Sequence, residues 1–228
     1  LSVHSQSLLA GYFTGGLSAV GRSADEIYTT CYHTMHTKSE QYYRRFPGDR
    51  DRMRAVLDLA ASGELRTPNG DPVGPSRVRS LGHLLGGSGG AEKLHYLLEY
   101  EPTSRCFRYD LADLLPFGGR NVLYTVIHES SYADGVTTNW AAARCLPQAF
   151  RDDPTLLTGE HVMPEWFDED SSLQPWKDVA QIIAEHPWPT LYDADALAAS
   201  QVPCAAAIYH DDAYVPREYS LQTAALLP

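Results

Sequence analysis

Two short apolar segments, one near each end of the 228-residue chain, constrain the fold more than any other feature. Residues 8–16 are largely apolar and close on two glycines, which predicts a buried strand that ends in a turn. Residues 202–209 again have β character, and a last helix is predicted to start at Pro216. Helical spacing dominates between them. A long helical insertion between two buried strands is the pattern of a lid inserted into an α/β sheet.

The segment between the two predicted strands should consist of helices. Ser23 and Glu26 have the spacing of a capping box, which predicts a helix start at residue 23, and Pro47 stops that helix. Farther along, apolar residues recur every three or four positions and glycine clusters interrupt them, which is typical of a string of short helices. Single helices are predicted over residues 23–45, 49–62, 172–185 and 193–200. The string of short helices is predicted over residues 76–150.

Charge and composition exclude several classes of partner. Lys and Arg number 18 against 29 Asp and Glu, a net charge of −11, so we expect no nucleic acid and no anionic membrane surface as a partner. Apolar runs fall far short of the roughly 20 residues that span a bilayer. The four cysteines are scattered without a C-x-x-C pair, so we predict free thiols, a cytoplasmic protein, no metal and no other cofactor.

Candidate catalytic residues follow the second predicted strand. Asp211 and Asp212 lie directly after it, where carboxylates of an active site commonly lie in an open α/β sheet, although either could simply turn the chain. Ser88 sits in a G-x-S-x-G pattern, but the residues before it have helical spacing and no histidine follows Asp212. We therefore interpret the segment around Ser88 as a hinge between helices.

Two further sets of residues have alternative interpretations. Glu129 and Glu160 stand among apolar and aromatic residues, where a carboxylate could bind a cationic amine or could be a solvated helix end. The histidines include a weak H-x-x-H pair, and we interpret them as polar helix surface rather than metal ligands. These histidines are His33, His36, His83, His95 and His128.

Five segments together, in their order and spacing, resemble proline iminopeptidases (prolyl aminopeptidases). They are residues 14–17 (TGGL), 42–47 (YYRRFP), 93–99 (KLHYLLE), 158–160 (TGE) and 209–218 (YHDDAYVPRE). The resemblance covers nearly the whole chain. It implies an α/β-hydrolase fold, in which residues 1–22 and 191–228 belong to the core and residues 23–190 form a helical cap. It also implies that this chain is an internal fragment of a longer protein.

The resemblance further implies a function and roles for individual residues. It implies a serine aminopeptidase that releases N-terminal proline from small peptides by Ser-His-Asp acyl transfer, without a cofactor. Asp212 would be the triad acid, with a slip to Asp211 left open, and the serine and histidine would lie outside this chain. Glu129 and Glu160 match cap glutamates that bind the substrate's amine, and Tyr132 is expected beside them. The alternatives are another α/β hydrolase that acts on amides or esters and a non-catalytic helical binding module.

Aromatic residues complete these expectations. Tyr124, Tyr132, Trp166 and Phe167 are candidates to line a pocket for the proline ring. On its own the 228-residue fragment is expected to be inactive, since an acid without its nucleophile has nothing to assist.

Overall fold

The fold comes from a computed structural model, which describes residues 1, 3–119 and 121–227. Helices dominate, and one small sheet joins the two ends of the chain. The strands are β1 (Gly11–Thr14) and β2 (Cys204–Ala207). The α-helices are α1 (Ala24–Arg45), α2 (Asp49–Ala61), α3 (Pro75–Arg79), α4 (Gly90–Leu98), α5 (Arg105–Leu114), α6 (Val122–Ile127), α7 (Ala141–Arg144), α8 (Gln148–Asp152), α9 (Trp166–Glu169), α10 (Lys177–Glu185), α11 (Ala194–Ala198) and α12 (Arg217–Ala224).

Short 3-10 helices supplement these elements at Ser5–Ser7, Ser80–Gly86, His128–Tyr132 and Gln174–Trp176. No helix in residues 3–119 or 121–227 combines the length and the apolar character that crossing a bilayer requires.

The two strands pair in parallel, with Gly11 opposite Cys204 and Thr14 opposite Ala207. A parallel pair needs a crossover connection, and here the whole helical part of the chain provides it. The prediction of two strands around a helical insertion is therefore confirmed at the level of element order. The role of that insertion as a lid, and the boundaries at residues 22 and 190, remain predictions.

The strands are shorter and more exposed than the sequence suggested. Leu9 is 93% exposed and Tyr12 is 83% exposed, so the prediction of a buried strand over residues 8–16 is wrong in both length and burial. The second strand likewise covers only part of residues 202–209. Each strand has a single partner strand in the described part of the chain, so one edge and much of each face stay open to solvent.

Helix α1 begins and ends where its sequence signals lie. The Ser23 hydroxyl accepts a hydrogen bond from the Glu26 backbone N–H at 3.3 Å, and the Glu26 carboxylate accepts one from the Ser23 N–H at 2.9 Å. This reciprocal pair satisfies two backbone donors that a helix start leaves free. The apolar face of α1 includes Tyr32 and Met35, which are fully buried against the other helices.

Proline and aspartate shorten two other predicted helices. The predicted helix over residues 172–185 begins as an α-helix only at Lys177, because Pro175 lies in the preceding 3-10 turn. The Asp193 side chain accepts a hydrogen bond from the Ala196 N–H at 2.9 Å and so caps α11 rather than joining it. The main core lies among the helices, and its largest fully buried members include Tyr32, Phe107, Phe150 and Trp166.

Candidate functional site

The candidate site lies where the chain leaves the carboxyl ends of both strands. After β1, Gly15 and Gly16 adopt φ values of 91° and 89°, which favour glycine. A Cβ on Gly16 would also lie 2.8 Å from Cγ1 of Val215. The close approach joins the loop after β1 to the loop after β2. The Ser220 hydroxyl then accepts a hydrogen bond from the Leu17 N–H at 3.1 Å and fastens the first loop to α12.

The structure separates the two adjacent acids of the second loop. Asp211 is exposed and pairs with the exposed His210 at 2.8 Å. Asp212 is half-buried, and its Oδ1 accepts hydrogen bonds from the Tyr214 N–H at 2.8 Å and the Val215 N–H at 2.9 Å. These backbone bonds fix the Asp212 carboxylate in the turn. Asp212 is therefore partly buried and held in the turn, whereas Asp211 is exposed to solvent.

A cavity of about 580 Å³ opens beside these loops. Its walls are the loop after β1, the segment from Tyr124 to Asp134, Tyr192 and the Val215–Pro216 turn, and Glu160 faces it. The Tyr192 hydroxyl donates a hydrogen bond to the Ser18 hydroxyl at 2.8 Å and ties the outer wall to the loop after β1. This cavity has the size and mixed lining of a small-ligand site.

Glu160 is a partly buried acid of this cavity. Its side chain is 17% exposed, and Oε1 accepts a hydrogen bond from the Tyr124 hydroxyl at 3.1 Å. Burial raises the pKa of Glu160 and the negative charge of Asp212 raises it further, while the Tyr124 hydrogen bond lowers it. The carboxylate therefore sits where a cationic ligand would offset the cost of its burial.

Aromatic rings surround Glu160. The Tyr124 ring stacks on Phe117, with centroids 5.6 Å apart, and His128 packs edge-on against Tyr132 at 5.8 Å. His128 also bonds through Nε2 to the Glu160 backbone oxygen at 2.9 Å. Burial lowers the pKa of His128 to about 4, so the ring is neutral near pH 7. The neutral ring donates to the carbonyl and fixes the backbone at Glu160.

The structure brings together Glu160, Tyr132 and Asp212 from the predicted site. Tyr132 lines the cavity, and burial raises the pKa of its hydroxyl, which the charges of Glu160 and Asp212 raise further, so the hydroxyl stays protonated. Glu129 lies elsewhere. It is 7% exposed, does not line the cavity, and accepts a hydrogen bond through Oε2 from the Ala142 N–H at 3.2 Å.

Other candidates fall outside the cavity. Trp166 and Phe167 are fully buried in the main core, so the expectation that they line the ligand pocket is wrong, while Tyr124 and Tyr132 do line it. Ser88 is exposed and lies in a turn after the 3-10 helix Ser80–Gly86, not after a strand, and its role as a hinge stays a prediction. The segment before Ser88 therefore lacks the geometry of a nucleophile elbow.

The interpretation of the histidines as polar helix surface is wrong for His128, and His36, His83 and His95 are partly buried rather than exposed. His128 is 4% exposed, and His161, whose burial the sequence analysis did not anticipate, is 1% exposed. Among the residues with described positions, no group of three or more His, Cys, Asp or Glu side chains could hold a metal ion. Sequence reasoning also missed Tyr192 and Tyr214, for which no local pattern gives a signal.

Comparison with known proteins gives two relatives named proline iminopeptidases. One, from Aeromonas sobria, is 34% identical over 234 residues, which cover 98% of this chain and 55% of the relative. The other, from Aspergillus aculeatus, is 24% identical over 237 residues, which cover 98% of this chain and 53% of that relative. This chain spans about half the length of the curated relatives it matches. No model of a protein family matches it.

Proposed function

Because this chain is related by sequence to the proline iminopeptidases over about half of their length, we propose that the protein carrying it is a serine aminopeptidase that releases N-terminal proline from peptides. The single observation that carries the proposal is the partly buried Glu160 carboxylate, which lines a cavity and is close enough to Asp212 for the charge of that acid to act on it. One acid is suited to bind the substrate's amine and the other to support the reaction at the adjacent carbonyl.

The proposed architecture is an α/β hydrolase. Residues 1–22 and 191–228 would contribute to its core sheet, and residues 23–190 would form the cap. The parallel pairing of β1 with β2 supports this division, because both strands then end at the same edge, next to Asp212. The open faces of the two strands are also suited to packing against further strands and helices.

The proposed chemistry is acyl transfer. A serine outside these 228 residues attacks the carbonyl of the N-terminal proline, and a histidine, also outside, takes the serine's proton and gives it to the leaving amine. Water, deprotonated by the same histidine, then hydrolyses the prolyl-serine ester, which releases proline and restores the serine. Asp212 holds that imidazole in the correct tautomer and stabilises the imidazolium as it forms. The backbone bonds to Oδ1 support this role, since they orient the carboxylate without neutralising its charge.

The proposed amine site consists of Glu160 and Tyr132, with Tyr124 and Tyr132 beside the proline ring. A carboxylate at a fixed distance from the reacting carbonyl selects a free N-terminus and rejects blocked chains. For Glu129, the support is the resemblance alone. If Glu129→Gln lowers kcat/KM for prolyl substrates as much as Glu160→Gln does, both glutamates bind the amine. If Glu129→Gln changes only the stability of the protein, amine binding is restricted to Glu160.

A cytoplasmic location is also proposed. All four cysteines are unpaired, as a reducing compartment allows. Thiol labelling of the protein, isolated without reductant and then unfolded, should find Cys31, Cys106, Cys145 and Cys204 all reactive.

Activity measurements on the full-length protein test the proposed reaction. Hydrolysis rates on prolyl, alanyl and acyl-ester chromogenic substrates would separate an aminopeptidase from a hydrolase of other esters or amides. We expect the prolyl substrate to be preferred and its N-acetylated form to be refused. No turnover of any of the three would instead favour a helical binding module.

A matched pair of variants tests the assignment of the acid. Asp212→Asn should lower turnover by about 10⁴-fold, as expected when a triad acid no longer fixes the tautomer. Asp211→Asn removes the same charge one residue away, on an exposed side chain, and should retain near-normal turnover. A large loss with Asp211→Asn and a small one with Asp212→Asn would transfer the role to Asp211.

A further inference from the structure

His83 approaches the Glu160 carboxylate from a side that the proposed substrate does not occupy. Its Nδ1 lies 4.0 Å from Oε1 of Glu160, yet His83 is absent from the lining of the 580 Å³ cavity. It lines instead a neighbouring cavity of about 730 Å³. Tyr124 lines both cavities, whereas Glu160 lines only the 580 Å³ cavity, from which the proposed substrate would reach it.

The His83 ring is held in this position. It packs against Tyr214 with centroids 5.1 Å apart and against Phe117 at 5.7 Å. The Tyr214 hydroxyl also donates a hydrogen bond to the His83 backbone oxygen. Nδ1 is buried and has no hydrogen-bond partner in residues 3–119 and 121–227. A fixed ring with an unpartnered nitrogen facing a carboxylate is suited to form an ion pair when it gains a proton.

We propose that His83 is a positioning residue that acts as an internal counter-cation for Glu160 and competes with the ammonium group of the substrate. The proposal rests on the proposed amine site. With His83 protonated, the imidazolium offsets the charge of Glu160 and disfavours a second cation there. A bound ammonium in turn disfavours protonation of His83, because the coupling between two sites is reciprocal.

The surroundings of His83 determine the pH at which its ring gains a proton. Burial lowers the pKa of His83, and a charge on His83 would act on the buried His128. Tyr214 faces the ring as a neutral phenol, since burial raises its pKa. Lys93 lines a smaller cavity together with His83, and Arg77 and three aspartates, Asp71, Asp113 and Asp170, line the 730 Å³ cavity. Glu160 is the carboxylate within 4.0 Å of the ring, and its charge favours the protonated form. Burial outweighs that charge, so the pKa of His83 stays below its ordinary value and the competition operates in the acidic range.

Titration of the His83 imidazole in the full-length protein tests the proposal. NMR of histidine-labelled protein follows each ring, and the signal absent from a His83→Gln variant identifies His83. Saturating prolinamide, added to protein whose proposed nucleophilic serine is replaced by alanine so that the amide is not hydrolysed, should lower the His83 pKa by about one pH unit, because it places a positive charge beside the ring. Glu160→Gln should lower it by a similar amount, and the matched change Glu185→Gln, on an exposed side chain of α10, should not.

Two results would overturn the proposal in distinguishable ways. If prolinamide binds and Glu160→Gln weakens its binding while the His83 titration stays the same with and without prolinamide, then His83 is not coupled to the amine site and the proposed function stands. If prolinamide binds with equal affinity to the unmodified protein and to the Glu160→Gln variant, the assignment of Glu160 to the amine site is wrong. The proposed role of His83 is then wrong as well, because it depends on that assignment.

Discussion

The Tyr124 hydroxyl donates a hydrogen bond to the Glu160 carboxylate across 3.1 Å, although 36 residues separate the two in sequence. The contact forms because α6 presents Tyr124 toward the loop that carries Glu160, and because Phe117 supports the Tyr124 ring from behind. It holds one carboxylate oxygen in place at the 580 Å³ cavity, and Tyr124 itself lines both that cavity and the 730 Å³ one. The orientation of Glu160 thus depends on a residue that contributes no charge of its own.

Glu160→Gln should weaken recognition of the substrate's ammonium group. A lost charge-assisted hydrogen bond is worth about 1.5–3 kcal/mol, which corresponds to a loss of about 10- to 150-fold in kcat/KM on a prolyl amide. Steady-state kinetics of the full-length protein measure this effect, with Glu185→Gln as a charge-matched control. An unchanged kcat/KM in Glu160→Gln would remove Glu160 from the amine site.

Tyr124→Phe should move the acidic limb of the pH profile upward. The Tyr124 hydrogen bond lowers the pKa of Glu160, so its removal lets burial raise that pKa further and the carboxylate protonates at higher pH. We expect the acidic limb of kcat/KM for a prolyl substrate to shift by about half to one pH unit. Tyr96→Phe, which alters an exposed ring, is the control. If Tyr124→Phe and the unmodified protein had the same acidic limb in kcat/KM, the hydrogen bond would not set the pKa of Glu160.

Local signals in the sequence were sufficient to predict α1. The capping box at Ser23 and Glu26 marks its start, and the apolar spacing marks its buried face, because both depend on residues within a few turns of each other. Burial of the strands could not be predicted in this way. Whether Leu9 or Tyr12 is covered depends on the neighbours of a strand, and apolar character alone does not specify those neighbours.

The candidate site was predictable only in part. Asp212 has a local signal, the end of a β segment, but Glu160 and Tyr132 were placed by resemblance to a family. The burial of His128 has no local signal, because the ring is enclosed by Phe117, Tyr124 and Tyr132, which tertiary packing brings to it. A histidine next to an acid has the same sequence pattern on a surface as in a core.

Gly82→Ala should destabilise the fold at the loop that carries Glu160. A Cβ at this position would lie 2.4 Å from the Thr158 backbone oxygen and 2.6 Å from Cβ of Leu157. Neither contact is the flexible end of a side chain, so backbone must move, at a cost of about 1–3 kcal/mol. Urea unfolding of the full-length protein measures the change. Gly87→Ala, whose new Cβ would find its nearest atom at 3.8 Å, is the control, and equal stability of both variants would refute the crowding at Gly82.

His128 should make the fold sensitive to acid. Burial lowers its pKa to about 4, whereas the unfolded chain protonates it near its ordinary pKa of about 6.5. Between these values the unfolded state binds one more proton than the folded state, so stability is lost as pH falls. The loss is at most about 1.4 kcal/mol for each pH unit. His161, whose pKa burial lowers to about 3, acts in the same direction.

His128→Gln tests this origin of the acid sensitivity. Glutamine keeps an N–H donor for the Glu160 carbonyl but cannot titrate, so the variant should lose less stability than the unmodified protein between pH 7 and pH 5. The difference should reach about 2 kcal/mol at most, measured by urea unfolding at both pH values. His33→Gln changes an exposed histidine of α1 and should leave the pH dependence as it was. An equally steep loss in His128→Gln would show that His128 is protonated in the folded protein near its ordinary pKa, which its enclosure among Phe117, Tyr124 and Tyr132 argues against.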